Sequence, residues 1–218
     1  MTASQQSSSL LLGEASGTDL ATFVGRAQRV DPEGAARLVA AGTTLAAYAS
    51  PVHGAGGPTV LALRVHSLLR PDEADVTVPL VALADRFARW QRITGPRELA
   101  LPPSDAGGAA WAGVSPPRSG WTALGTLGTD VLAAEAQRGS EEITRGAPEG
   151  SGAAAVARLR ALVWGRPLPG VDVPAGSAFV LDAFGFLVPS EPVQVHSHGP
   201  WRRLTTSRGY VLSRPALG

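Results

Sequence analysis

Thr43-Thr-Leu-Ala-Ala-Tyr-Ala-Ser50 and Thr59-Val-Leu-Ala-Leu-Arg-Val-His-Ser-Leu-Leu69 flank the segment Pro51-Val-His-Gly-Ala-Gly-Gly-Pro58. Both flanking runs are β-prone, and the glycines and prolines between them mark a long hairpin loop. Val76-Thr-Val78 adds a third short strand. Strands that follow one another through loops rather than helices favour an antiparallel sheet, so the chain reads as α+β and not as a doubly wound parallel fold.

Working outward, Thr18 can cap a helix whose Leu20, Phe23, Val24 and Ala27 form one apolar stripe. Asp31-Pro32 before Leu38 and Val39, with Gly42 beyond, predicts a second short helix. Pro79 opens a third with Leu80, Leu83, Ala84 and Phe87 on one face, stopped by Gly95-Pro96. The predicted front half is therefore α-α-β-β-β-α over 18–96, after an unstructured N-terminus at 1–17. A Pro- and Gly-rich linker covers 97–108. In 109–218 the pattern predicts strands at Ala109–Val114 and Trp121–Leu127 and helices over Asp130–Thr144, Ser151–Trp164 and Gly176–Leu187. A closing β meander follows at Pro192–His198, Trp201–Thr206 and Tyr210–Arg214.

The 218 residues carry 19 basic and 18 acidic side chains, and every basic one is Arg. Lys, Asn and Cys are absent, which excludes Schiff-base and P-loop lysine chemistry, thiol nucleophiles, disulfides, thiolate metal sites and N-glycosylation. A GC-rich coding bias accounts for this composition, so the arginines do not by themselves signal phosphate. Divided at Gly150, the front holds 12 Arg against 15 acids and the rear 7 Arg against 3; the rear excess permits an acidic partner, although a solvated basic face is the commoner meaning. No secretory signal pattern and no apolar run of membrane-spanning length is present, so a cytoplasmic location is expected.

The loop Ser115-Pro-Pro-Arg118-Ser-Gly-Trp121 carries the most specific signal. Two prolines stiffen it, and tryptophans 111 and 121 flank Arg118, a pattern that can aim a guanidinium at a carboxylate or phosphate over an aromatic wall. The plain alternative is two core tryptophans and a surface charge. His196 and His198 project from one strand face and are weak candidates for a metal, which needs a third ligand; Asp182, Glu191, His53 and His66 are the available ones. Solvent-facing histidines explain the same spacing. The Gly-rich loop at 54–57 can cradle an anion or simply turn a hairpin. Asp72, Glu73 and Asp75 can hold a cation or line a charged turn.

Ala110-Trp-Ala-Gly-Val-Ser-Pro-Pro-Arg-Ser-Gly-Trp121 and Arg158-Leu-Arg-Ala-Leu-Val-Trp-Gly-Arg-Pro-Leu-Pro169 look like segments of an uncharacterised protein family from GC-rich bacteria, a resemblance that implies no activity. Val193-Gln-Val195, Gly199-Pro-Trp201-Arg-Arg-Leu204 and Arg208-Gly-Tyr210-Val-Leu212 resemble the closing strands of bacterial SH3-type modules, and Ser119-Gly-Trp-Thr-Ala-Leu-Gly-Thr-Leu127 their opening segment. That resemblance implies a small barrel with a helical insertion and a protein, peptide or glycan ligand.

The leading expectation is a non-catalytic interaction or scaffolding protein that meets a protein or peptide partner through Arg118, Trp121, Trp201, Arg202 and Arg203. The alternatives are a metal-dependent hydrolase using His196 and His198 with Glu191 as base, and a winged-helix nucleic-acid binder. The long Pro-rich gap between Trp164 and Gly176, and a would-be recognition helix without Arg, argue against nucleic acid. No motif implies a cofactor, and the oligomeric state is left open.

Overall fold

A computed structural model describes residues 9–90, 93–103, 109–148 and 150–215. Its elements run β1 (Ser9–Leu12), α1 (Glu14–Val30), β2 (Ala35–Val52), β3 (Thr59–Pro79), α2 (Leu80–Trp90), β4 (Arg97–Ala100), a 3-10 turn (Ala110–Gly113), β5 (Thr122–Leu127), α3 (Thr129–Gly146), α4 (Ala153–Gly165), α5 (Gly176–Ala183), β6 (Val193–His198), β7 (Trp201–Thr206) and β8 (Gly209–Arg214). The fold is α+β with antiparallel pairing. Two compact units emerge: the residues up to Ala49 together with Leu63–Gly113, and Ser50–Ala62 together with the residues from Val114 onward.

In the first unit the order is β4-β1-β3, with β2 also paired to β3. α1 buries Leu20, Phe23, Val24 and Ala27, the stripe its sequence carries, but it starts at Glu14 rather than Thr18. Its Gly17 lies where an added Cβ would stand 3.1 Å from the Trp90 ring, so the glycine allows close approach to α2. α2 buries Leu80, Leu83, Phe87 and Trp90.

The helix expected after Asp31-Pro32 is instead the first half of β2. Ala36, Leu38 and Ala40 are buried while their neighbours are not, a two-residue period that only a strand produces. Beyond Gly42, whose φ is +57°, burial shifts to Leu45, Ala47 and Ala49. The glycine that mimics a helix C-cap thus sits where the strand changes phase. Val76–Val78 is not a separate strand but the end of β3. The N-terminal stretch expected to lack structure contributes β1, and residues 1–8 lie outside the described residues. Arg97–Ala100, read as linker, pairs with β1; 104–108 lie outside the described residues. Ala110–Gly113 is a 3-10 turn burying Trp111, not a strand.

In the second unit the order is β3-β8-β7-β6-β5. Alternation places Val193, Val195, Leu204 and Val211 in the core, and α5 packs beside β8 and α3. Trp164 of α4 stacks on Phe179 of α5 with ring centres 4.6 Å apart. α5 ends at Ala183, short of the expected Leu187, because Gly185 turns left-handed (φ +62°) and the Phe186 N–H donates to the Leu181 carbonyl. The closing meander forms as read, but it continues onto β3 instead of closing on itself, so the SH3-type barrel is not supported. β5 ends the order, and five of its six residues are exposed. No helix among the described residues is long and apolar enough to cross a membrane.

Candidate functional site

Of the residues singled out on β7, Arg202 faces away from Trp201 and Arg203, because adjacent strand residues face opposite ways. Trp121 and Arg203 come together: the Arg203 Cζ lies 4.7 Å from the Trp121 ring centre and 5.9 Å from that of Tyr210. The Trp121 Nε1–H donates to the Pro117 carbonyl at 3.2 Å, fixing the ring against the proline loop. The ring of His198 meets Trp121 edge-on at 5.9 Å. Arg118, the expected guanidinium, is exposed and has no ion pair among the described residues; Arg203 takes its place on the aromatic wall.

Arg202 points elsewhere. Its Nη2 is 2.6 Å from the Asp172 carboxylate and its Nε donates to the Asp172 carbonyl at 3.0 Å. Trp201 is buried beneath Arg214, whose Cζ lies 5.6 Å from its ring. Tyr210 and Arg214 were read from sequence as strand residues only, although the strand register could have placed Tyr210 at the site, since it faces Thr205 two positions from Arg203.

His196 faces Arg203 across the ladder. Burial, with the neighbouring guanidinium, pushes its pKa below the ordinary histidine value. Glu191, named above as a base, is committed to the β7–β8 turn. Its two carboxylate oxygens accept from the Ser207 N–H at 2.7 Å and the Ser207 hydroxyl at 2.6 Å, which holds its pKa below the usual carboxylate range. Among the described residues no group of three or more His, Asp or Glu gathers around a metal-sized point. The acidic run of β3 also diverges: Asp75 is gripped by Arg37, Glu73 accepts from the Gly42 N–H, and Asp72 accepts from the Glu73 N–H.

A concavity of the second unit lies beside Arg202 and Arg214. It encloses about 350 Å³, between the hairpin tip (Gly56, Gly57, Pro58), α4 (Ala161, Gly165), the loop bearing Pro167, Asp172 and Pro174, and the end of β8 (Ser213, Arg214, Pro215). Left-handed backbone at Gly54, Ala55 and Gly56 (φ +75°, +51°, +74°) shapes the tip. The Pro167–Pro174 bridge and the Leu168 N–H bond to the Val173 carbonyl at 2.7 Å stiffen the opposite wall. Arg214 is 8% exposed, its Nε has no acceptor, and no carboxylate pairs with it among the described residues. The Arg214 guanidinium is thus nearly buried and without a carboxylate partner among the described residues, in walls that combine Pro, Gly and Ala with Ser213 and the Arg202–Asp172 pair.

Residues 6–113 match a domain of unknown function, DUF8010, and residues 116–218 match a second, DUF8185. No curated protein matches the chain. Among solved structures, the DNA polymerase sliding clamp from Caulobacter crescentus is 13% identical with a TM-score of 0.52, over 97% of this chain and 66% of that one. A putative DNA polymerase III beta subunit from Eubacterium rectale is 10% identical with a TM-score of 0.51, over 96% and 65%. A DnaN sliding clamp from Bartonella birtlesii, bound to griselimycin, is 11% identical with a TM-score of 0.50, over 96% and 65%. At these identities the likeness is one of fold. The chain spans just under two thirds of the length of the clamps it resembles.

Proposed function

We propose that the protein is a non-catalytic scaffold on a clamp-like fold, and that the cavity beside Arg214 docks a partner protein through an acidic side chain flanked by small apolar ones. The observation that carries this reading is Arg214 itself, 8% exposed and without a carboxylate partner among the described residues. Burying a charge is costly unless something compensates it, and a partner's carboxylate would do so. Arg202, already neutralised by Asp172, lines the entrance without competing for the ligand. The test is a fluorescence-polarisation titration with a labelled capped peptide of Ala and Pro around a single Glu. Wild-type protein should bind saturably, Arg214→Gln should bind roughly tenfold more weakly or worse, and Arg214→Lys should fall between. Equal affinity in all three would overturn the reading.

Contact with DNA is a second reading, favoured by one observation, the fold likeness to chains titled DNA polymerase sliding clamps. It predicts binding of a labelled duplex that weakens steeply between about 50 and 200 mM salt. Absence of retention at low salt would dispose of it.

A further inference from the structure

Residues 114–127 and 192–215, which supply β5 to β8 and the loop before them, contain five Arg, two His and no Asp or Glu. Arg202 is neutralised by Asp172, Arg208 reaches the Gly185 carbonyl, and Arg214 turns to the cavity described above. Arg203 stands apart. Its guanidinium rests against the rings of Trp121 and Tyr210, its Nε is shielded from solvent with no acceptor, and no carboxylate lies within ion-pair distance among the described residues. Stacking occupies the face of a guanidinium and leaves its planar edge for an acceptor with two oxygens. His196, directly across the ladder, also carries a shielded Nδ1 without a partner.

We propose that Arg203 with the Trp121 and Tyr210 rings forms a second recognition site, built from residues that do not line the Arg214 cavity, and that it takes an acidic stretch of a partner protein by seating one carboxylate on Arg203. One guanidinium matches a single carboxylate charge, whereas a phosphate dianion calls for more than the single guanidinium that rests on Trp121 and Tyr210. β5 to β8 carry no acid of their own, and the two carboxylates that reach them, Glu191 and Asp172, are held by Ser207 and Arg202.

The experiment is a titration of the full chain with hexaglutamate, followed by tryptophan emission and by calorimetry. Saturable binding is expected, with an emission change that Trp121→Phe removes. Arg203→Gln should weaken binding about tenfold, Arg203→Lys by less, and the exposed Arg145→Gln on α3 not at all; thermal melts of each variant confirm folding. No saturable binding, undiminished binding by Arg203→Gln, a loss that follows Arg214→Gln instead, or displacement of the peptide by equal concentrations of inorganic phosphate would each overturn the proposal. A failure here leaves the Arg214 cavity reading standing, since the two rest on different residues and different probes.

Discussion

The guanidinium of Arg203 lies 4.7 Å from the ring centre of Trp121, which joins the strand after the proline loop to the middle of the closing meander. In a partly exposed setting such a contact is worth about 0.5–1 kcal/mol. Urea unfolding of Trp121→Leu, Arg203→Gln and the double variant should give a coupling energy of about that size. Additive losses would mean that the two side chains are neighbours without interacting.

Gly139 and Gly25 are both helix-interior glycines, yet replacement by Ala should have opposite effects. A Cβ on Gly139 would overlap the Trp164 ring, which is 2% exposed and stacked on Phe179. Overpacking of roughly 1–3 kcal/mol there outweighs the helix-propensity gain of about 1 kcal/mol. At Gly25 nothing lies within 4 Å of the added atom, so only the gain remains. Thermal melts should fall by a few degrees for Gly139→Ala and rise for Gly25→Ala.

His66 is expected to make the first unit acid-sensitive. Its ring is buried with Nδ1 3.3 Å from the Asp19 carboxylate, and burial outweighs that attraction, pushing the pKa down from 6.5 to about 4, with Arg64 adding to the shift. Between those values the unfolded chain binds a proton that the folded chain refuses, so stability falls as pH is lowered through the window and levels off below it. The full loss is roughly 3 kcal/mol. Denaturant unfolding at pH 7 and near pH 4.5 should show a larger drop for wild type than for His66→Gln; parallel drops would exclude the histidine as the cause.

Arg37 ties β2 to β3 and to the 3-10 turn. Its Nε and Nη2 grip the two oxygens of Asp75 at 2.8 and 2.7 Å, while Nη1 donates to the Ala112 carbonyl at 2.8 Å. Arg37→Met should cost about 1–3 kcal/mol. Arg37→Lys should recover only part of it, because an ammonium cannot reproduce the planar fork. Full recovery by Lys would show that charge alone matters.

The hairpin, the helix after Pro79 and the closing meander were legible because period and turn residues agree there. The start of β2 was not, since Asp31-Pro32 and Gly42 imitate helix punctuation while the true signal, burial at Ala36, Leu38 and Ala40, involves residues that also suit a helix. A partner strand, invisible in a local window, decides such cases. At the candidate site, Arg118 and Arg203 were both named with Trp121; Arg118 is close in sequence, whereas it is Arg203 that the β5-β6-β7 order brings over the ring. The Arg214 cavity had one local hint, the Gly-rich loop at 54–57, but it is assembled from that hairpin tip, a helix, a proline loop and a strand end.

The most direct measurement is amide-shift mapping by NMR of the full chain titrated with the Ala-Pro-Glu peptide. Docking in the cavity predicts that the largest changes fall on Gly56, Gly57, Ser213 and Arg214, and that they vanish in Arg214→Gln. Changes centred elsewhere, or unaltered by that substitution, would contradict a scaffold that recognises its partner through this buried guanidinium.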